Sequence, residues 1–124
     1  MIRGMRGAIT VNQNTEEEII TATEELLKKI IEENQIQPDV VASVFISTTK
    51  DINATFPAKA LRKFEGWTFV PVMCMQEMPV PNSLTMCVRI MMHVNTNQLQ
   101  EEVVHVYLRE AVVLRPDLGK EIVK

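Results

Sequence analysis

The chain has 124 residues, is 46% hydrophobic and 23% charged, and carries a formal net charge of −3. That length holds one domain of ordinary size, expected to span 1–124, and the acidic balance argues against a general nucleic-acid binder. No apolar run approaches the roughly 20 residues of a membrane span. The N-terminus opens directly into a strand pattern without a signal-peptide core, so no membrane is expected as a partner and a cytoplasmic location is expected. A domain this small leaves much surface exposed, which suits pairing with copies of itself.

Residues 2–11 alternate as a strand, with Arg6 on the same face as Gly4 and Ala8. Small neighbours leave space beside its guanidinium; from this segment alone Arg6 reads first as a surface arginine on an edge strand. Residues 15–34 form the clearest helix. Asn14 or Thr15 caps it, Thr15 with Glu18 fits a capping box, and Glu16, Glu17 and Glu18 favour the positive end of the helix dipole. Ile19, Ala22, Leu26 and Ile30 make its buried stripe, and Gln37-Pro38-Asp39 turns the chain. Residues 40–48 are expected as a central strand, with Val40, Ala42, Val44, Ile46 and Thr48 on one face.

Phe56-Pro57-Ala58-Lys59-Ala60-Leu61-Arg62 reads as a short helix over 57–64, entered through proline and stopped by Gly66. Leu61 and Phe64 would face inward, and Lys59, Arg62 and Lys63 would share a basic outer face. Residues 67–73 read as a strand, and the apolar stretch from Val70 runs on to one acidic residue, Glu77. Pro79 and Pro81 make the next segment a loop. Residues 84–94 form a strand with Cys87, Arg89, Met91 and His93 on one face. Arg89 lies among apolar neighbours, so partial burial is expected, and a buried charge needs a partner. Two readings weigh evenly: an ion pair with a carboxylate such as Glu77, or a cation awaiting a ligand atom. A helical turn near 98–102 and a strand near 103–109 follow, and about 117–124 reads as a mobile tail.

Much common chemistry is missing. His93 and His105 lack spaced partners for a zinc site and read as core or surface residues. No glycine-rich phosphate loop or nucleophile elbow occurs. Cys74 and Cys87 fit reduced core thiols, with no disulfide required. What remains is arginines, one well-placed carboxylate and a tyrosine, a set that binds and polarises a small polyanion.

Several blocks carry a resemblance: Ile2-Arg3-Gly4-Met5-Arg6-Gly7-Ala8, Phe56-Pro57-Ala58-Lys59-Ala60, Cys74-Met75-Gln76-Glu77-Met78, Arg89-Ile90-Met91-Met92, His105-Val106-Tyr107-Leu108 and Ala111-Val112-Val113-Leu114-Arg115-Pro116-Asp117-Leu118. In this order they closely resemble the monofunctional chorismate mutases of the AroH class. The resemblance implies an α+β fold, a mixed β-sheet packed against one long helix and a short helix. It implies a homotrimer, a pseudo α/β barrel with active sites between subunits. It further implies a Claisen rearrangement of chorismate to prephenate in aromatic amino-acid biosynthesis, with no cofactor and no metal.

By the same resemblance Arg89 faces the ether oxygen of the breaking bond, and Arg6 and Tyr107 bind the enolpyruvyl carboxylate. Glu77 holds the ring hydroxyl, with the backbone of Cys74 and Met73 alongside. Phe56 supplies an apolar wall, Ala58 and Lys59 line the cleft, and Arg62, Leu114 and Arg115 close it near the second carboxylate. Met73 stands where the family is associated with threonine, and the chain after Leu118 departs from the family pattern. The competing readings are a trimeric enamine/imine deaminase on a similar fold and a non-catalytic trimer that binds small acids.

Overall fold

A computed structural model describes residues 1–115; the tail expected over 117–124 lies outside them. The strands are β1 (Ile2–Thr10), β2 (Val41–Thr48), β3 (Val72–Gln76), β4 (Cys87–Asn95) and β5 (Val106–Leu108), and the long helix is α1 (Glu16–Asn34). The five strands form one sheet in the order β3-β2-β4-β1-β5. β4 runs antiparallel to both β1 and β2, whereas β1 with β5 and β2 with β3 are parallel pairs. The sheet is therefore mixed, as expected, and β2 is internal. β1 is also internal, between β4 and β5, which removes the reading of Arg6 as an edge-strand residue.

α1 begins where its sequence requires. Thr15 is the cap, and its hydroxyl accepts from the Glu18 N–H at 3.2 Å. Glu18 does not complete the reciprocal box; its carboxylate accepts from the Asn12 N–H at 3.3 Å and meets the Arg109 guanidinium at 3.1 Å. At the other end Gln35 adopts a left-handed conformation, φ 52°, and closes the helix ahead of the expected turn at Pro38. Ile19, Ala22, Leu26, Leu27 and Ile30 are fully buried against Met5, Ile9, Val44, Ile46, Val88 and Met92 of the sheet. Each large aliphatic chain in this layer contributes about 1.5–3 kcal/mol by leaving water.

Helix and sheet approach closely at Gly7. A Cβ there would stand 2.8 Å from Ile30 Cδ1 and 2.9 Å from the Val106 carbonyl oxygen. Asn34, at the end of α1, anchors the entry to β5. Its amide donates to the Val104 carbonyl at 2.8 Å, and its side-chain oxygen accepts from the Val104 N–H at 2.9 Å.

Several boundaries differ from the periodicity, each for a local reason. The third strand begins at Val72, not 67, because 67–70 folds as a turn around buried Trp67, with Val70 N–H on the Trp67 carbonyl at 3.2 Å. β4 begins at Cys87, not 84: Met86 has a left-handed φ of 52°, and its N–H is held by the Asp51 carboxylate at 3.0–3.1 Å. In β2 two residues oppose one across Val41–Ser43, a bulge that puts Val41 in the core and Ala42 in solvent, the reverse of strict alternation.

The short helix spans Pro57–Lys63 as a 3₁₀ helix, burying Pro57, Ala60 and Leu61; Phe64 is only partly buried. Its basic face is partly neutralised, since Lys59 meets Glu16 at 2.7 Å and Lys63 meets Glu24 at 4.0 Å. β5 is shorter than expected, and Arg109–Leu114 forms a further 3₁₀ helix that the sequence pattern did not reveal. Arg109 itself is left-handed, φ 55°, and its guanidinium clasps the Thr10 carbonyl, Glu18 and Glu25. No helix among the described residues is long and apolar enough to cross a membrane.

Candidate active site

α1 covers one face of the sheet. The other face takes the intervening residues of each strand. By register it carries Arg6 and Ala8 of β1, Phe45 and Ser47 of β2, Met73 and Met75 of β3, Arg89, Met91 and His93 of β4, and Tyr107 of β5. In the single chain this face is open along β2 and β3, with Phe45, Met73 and Met75 exposed, whereas Ala8 and Tyr107 are buried with Cys87 and Ala111 at the β1–β5 end. Its openness corrects the expected partial burial of Arg89. Val88 and Ile90, its neighbours in sequence, point into the core, while the Arg89 side chain keeps 45% of its surface exposed.

A cleft of about 420 Å³ on this face brings together Arg6, Glu77, Arg89 and Tyr107, from four separate segments. Arg89 Nη1 lies 3.0 Å from Glu77 Oε2, and the Ser47 hydroxyl donates to the same oxygen at 3.1 Å. The Glu77 N–H continues the edge by donating to the Thr48 carbonyl at 2.8 Å, so the carboxylate is held at the strand end. Ala8 of β1 is the register partner of Arg89 and is fully buried against Tyr107 and Ala111. Tyr107 is buried at 3% exposure and opposes Ala8 from β5. The Arg6 guanidinium donates to no other described residue.

Both readings of Arg89 thus meet in one place: it is paired with Glu77, and the pair borders open space. Two guanidiniums against one carboxylate leave this cleft locally positive in a chain of net charge −3. Such a site attracts a small anion, and the remaining carboxylate can accept from a ligand hydroxyl.

The remaining expected site residues fall elsewhere. Phe56, Ala58, Lys59, Arg62 and Cys74 line a second cleft of about 620 Å³, which shares no lining residue with the first. The division follows from strand alternation at β3. Cys74 opposes core-facing Ile46, whereas Met75 opposes Ser47 on the open face. Leu114 joins Glu77 and Arg89 around a smaller cleft of about 210 Å³. Met73 is 61% exposed and lines neither of these two clefts. Arg115 is half-buried at the end of the described chain, and its charge reaches His105.

Burial raises both thiols. Cys87, which lines the smaller cleft with Leu114, is pushed up to about 11, and Cys74 is raised as well. Neither is a ready nucleophile at neutral pH. Sequence reasoning missed Ser47 and His105. The position of Ser47 opposite Arg89 was visible only once the strand register was known. His105 accepts from the Arg6 N–H at 3.0 Å, a contact with no signal in sequence spacing.

A mixed sheet with one long helix, carrying paired arginines, a carboxylate and a tyrosine at an open cleft, defines a binder of small polyanions with the means to stabilise developing charge. The family model for chorismate mutase type I matches residues 2–118. The chain is 55% identical over 119 residues to the chorismate mutase AroH of Bacillus subtilis, covering 96% of this chain and 94% of that one. It is 49% identical to the chorismate mutase AroH of Thermus thermophilus, covering 95% and 97% of the two chains. A solved chorismate mutase from Clostridium thermocellum superposes with a TM-score of 0.86 at 46% identity, covering 90% of this chain and 98% of that one. The chain belongs to the type I chorismate mutase family, and it is an isomerase.

Proposed function

We propose that this mutase binds chorismate at a seam between copies of itself and releases prephenate, with the whole chain acting as one catalytic domain in the cytoplasm. The observation that carries the residue assignment is the convergence of Arg6, Glu77, Arg89 and Tyr107 on one cleft of the open sheet face. The rearrangement is unimolecular, so catalysis consists of holding the compact conformer and stabilising the charge that develops as the C–O bond breaks. Arg89 faces the ether oxygen, where negative charge grows. Its planar fork stays charged and can serve that oxygen while keeping Glu77. Arg6 and Tyr107 take the enolpyruvyl carboxylate, and Glu77 accepts from the ring hydroxyl.

The second cleft supplies the rest of the site from a neighbouring chain. Phe56 forms an apolar wall, Ala58 and Lys59 line the cleft, Cys74 and Met73 present backbone groups, and Arg62 approaches the second carboxylate. Leu114 and Arg115 close the first half. The separation of the two clefts supports a shared site, and the exposed apolar face carrying Phe45, Met73 and Met75 supports a homotrimer as the working form.

The test is complementation. Arg89→Ala and Arg62→Ala, each nearly inactive alone in a chorismate-disappearance assay, are co-expressed and purified as mixed assemblies. Sites built from two chains restore activity in about a quarter of positions, because one half of each site is then intact from each parent. Mixed assemblies no more active than either parent overturn the shared site. Purified wild-type protein that leaves chorismate at its spontaneous rate overturns the catalytic assignment itself.

A further inference from the structure

The parallel ladder between β1 and β5 pairs Gly7 with Val106, Ala8 with Tyr107 and Ile9 with Leu108. One residue earlier the backbone partnership stops, yet the Arg6 N–H is still satisfied. It donates to Nδ1 of His105 at 3.0 Å, so an imidazole stands in for the next acceptor of the ladder. Arg6 and Tyr107 flank this contact, Arg6 as its donor and Tyr107 in β5, two residues beyond the histidine that leads into the strand. This hydrogen bond therefore extends the β1–β5 ladder to the Arg6 backbone and helps hold the two side chains assigned above to the enolpyruvyl carboxylate.

We infer that His105 is a positioning residue: its neutral, Nε2-protonated imidazole holds the Arg6 backbone in register, and gain of a proton releases Arg6 and weakens substrate binding. The inference rests on the assignment of Arg6 to the substrate carboxylate. Nδ1 can accept only when it carries no proton, and a protonated ring would oppose a donor to a donor. The surroundings keep the ring neutral. Burial comes first, then the positive charge of Arg6 on β1, then that of Arg115 after the last 3₁₀ helix, and together they hold it below its ordinary value of 6.5. From α1 the nearby anchor is Asn34, which is neutral and bonded to Val104. Acidification thus adds a third positive charge beside the two guanidiniums and removes the acceptor in the same step.

The experiment follows the Arg6 amide resonance and the chorismate KM of the full chain between about pH 5 and 8, the range in which histidine titrates. In the wild type the amide should shift with the His105 ring, and KM should rise on acidification while kcat changes less. His105→Asn places a carbonyl oxygen where Nδ1 stood and does not titrate. It should keep the amide shifted as in the neutral wild type, and its KM should lose that rise. His105→Leu, with no acceptor, should raise KM about fivefold at every pH, the value of one hydrogen bond. An Arg6 amide indifferent to the ring's titration overturns the hydrogen-bond control. An amide that follows the ring while KM stays flat overturns the substrate role by removing Arg6 from carboxylate binding.

Discussion

Replacing Arg89 by alanine separates a structural ion pair from a catalytic cation. The pair is one contact, Nη1 to Oε2 at 3.0 Å, between side chains that keep 45% and 31% of their surface exposed. Pairs of that exposure are worth about 0.2–1 kcal/mol, because water screens them and side-chain entropy opposes them. The freed Glu77 keeps the Ser47 hydroxyl and solvent, so it is not stranded. Arg89→Ala should therefore cost at most about 1 kcal/mol of stability. Its effect on turnover is much larger: a preorganised donor facing developing negative charge is worth about 10²–10³ in kcat, or 3–4 kcal/mol. The assay pairs a urea unfolding curve with the initial rate of chorismate loss. A variant that unfolds more than about 2 kcal/mol earlier while keeping near-normal turnover would refute the reasoning and make the arginine a scaffold element.

Three further outcomes follow from the geometry. Gly7→Ala should lose about 1–3 kcal/mol of stability, because the new methyl meets the Val106 carbonyl, which cannot rotate away, as well as Ile30; a thermal melt unchanged from wild type would contradict this. Asn34→Ala strips partners from both backbone groups of Val104 and should cost about 1–3 kcal/mol, with faster amide exchange at Val104 as the local signature. Cys87 is 3% exposed and its thiol is pushed up to about 11, so in the folded protein iodoacetamide at neutral pH should modify it more slowly than the less buried Cys74. The sign for stability follows: the native state favours the neutral Cys87 thiol, so its contribution is intact below 9.0 and declines as pH rises toward 11.

The helix and the face assignment of β4 were legible in the sequence because their signals are local. Thr15 and the apolar stripe fix α1, and alternation alone assigns Arg89 and His93 to the side opposite Val88 and Ile90. The strand starts were not legible. They depend on the turn around Trp67, on Asp51 reaching across to the Met86 N–H, and on an extra residue at Ala42 that only the partner strand defines. Much the same divides the site. Arg89 and Glu77 stand out as charges beside apolar runs, whereas Ser47 and His105 matter only through residues that are distant in sequence. The partial burial expected for Arg89 failed because apolar neighbours at adjacent positions of a strand shelter the opposite surface.

The two-sided design of the sheet has a practical consequence for anyone altering this enzyme. Along β4, Val88, Ile90, Met92 and Val94 hold the molecule together, while Arg89 and Met91 point toward the candidate cleft. Recognition can therefore be retuned at Met91 with little penalty to the core beneath the helix. Inserting or deleting a single residue inside β4 would exchange the two roles, turning chemistry toward the helix and grease toward the solvent.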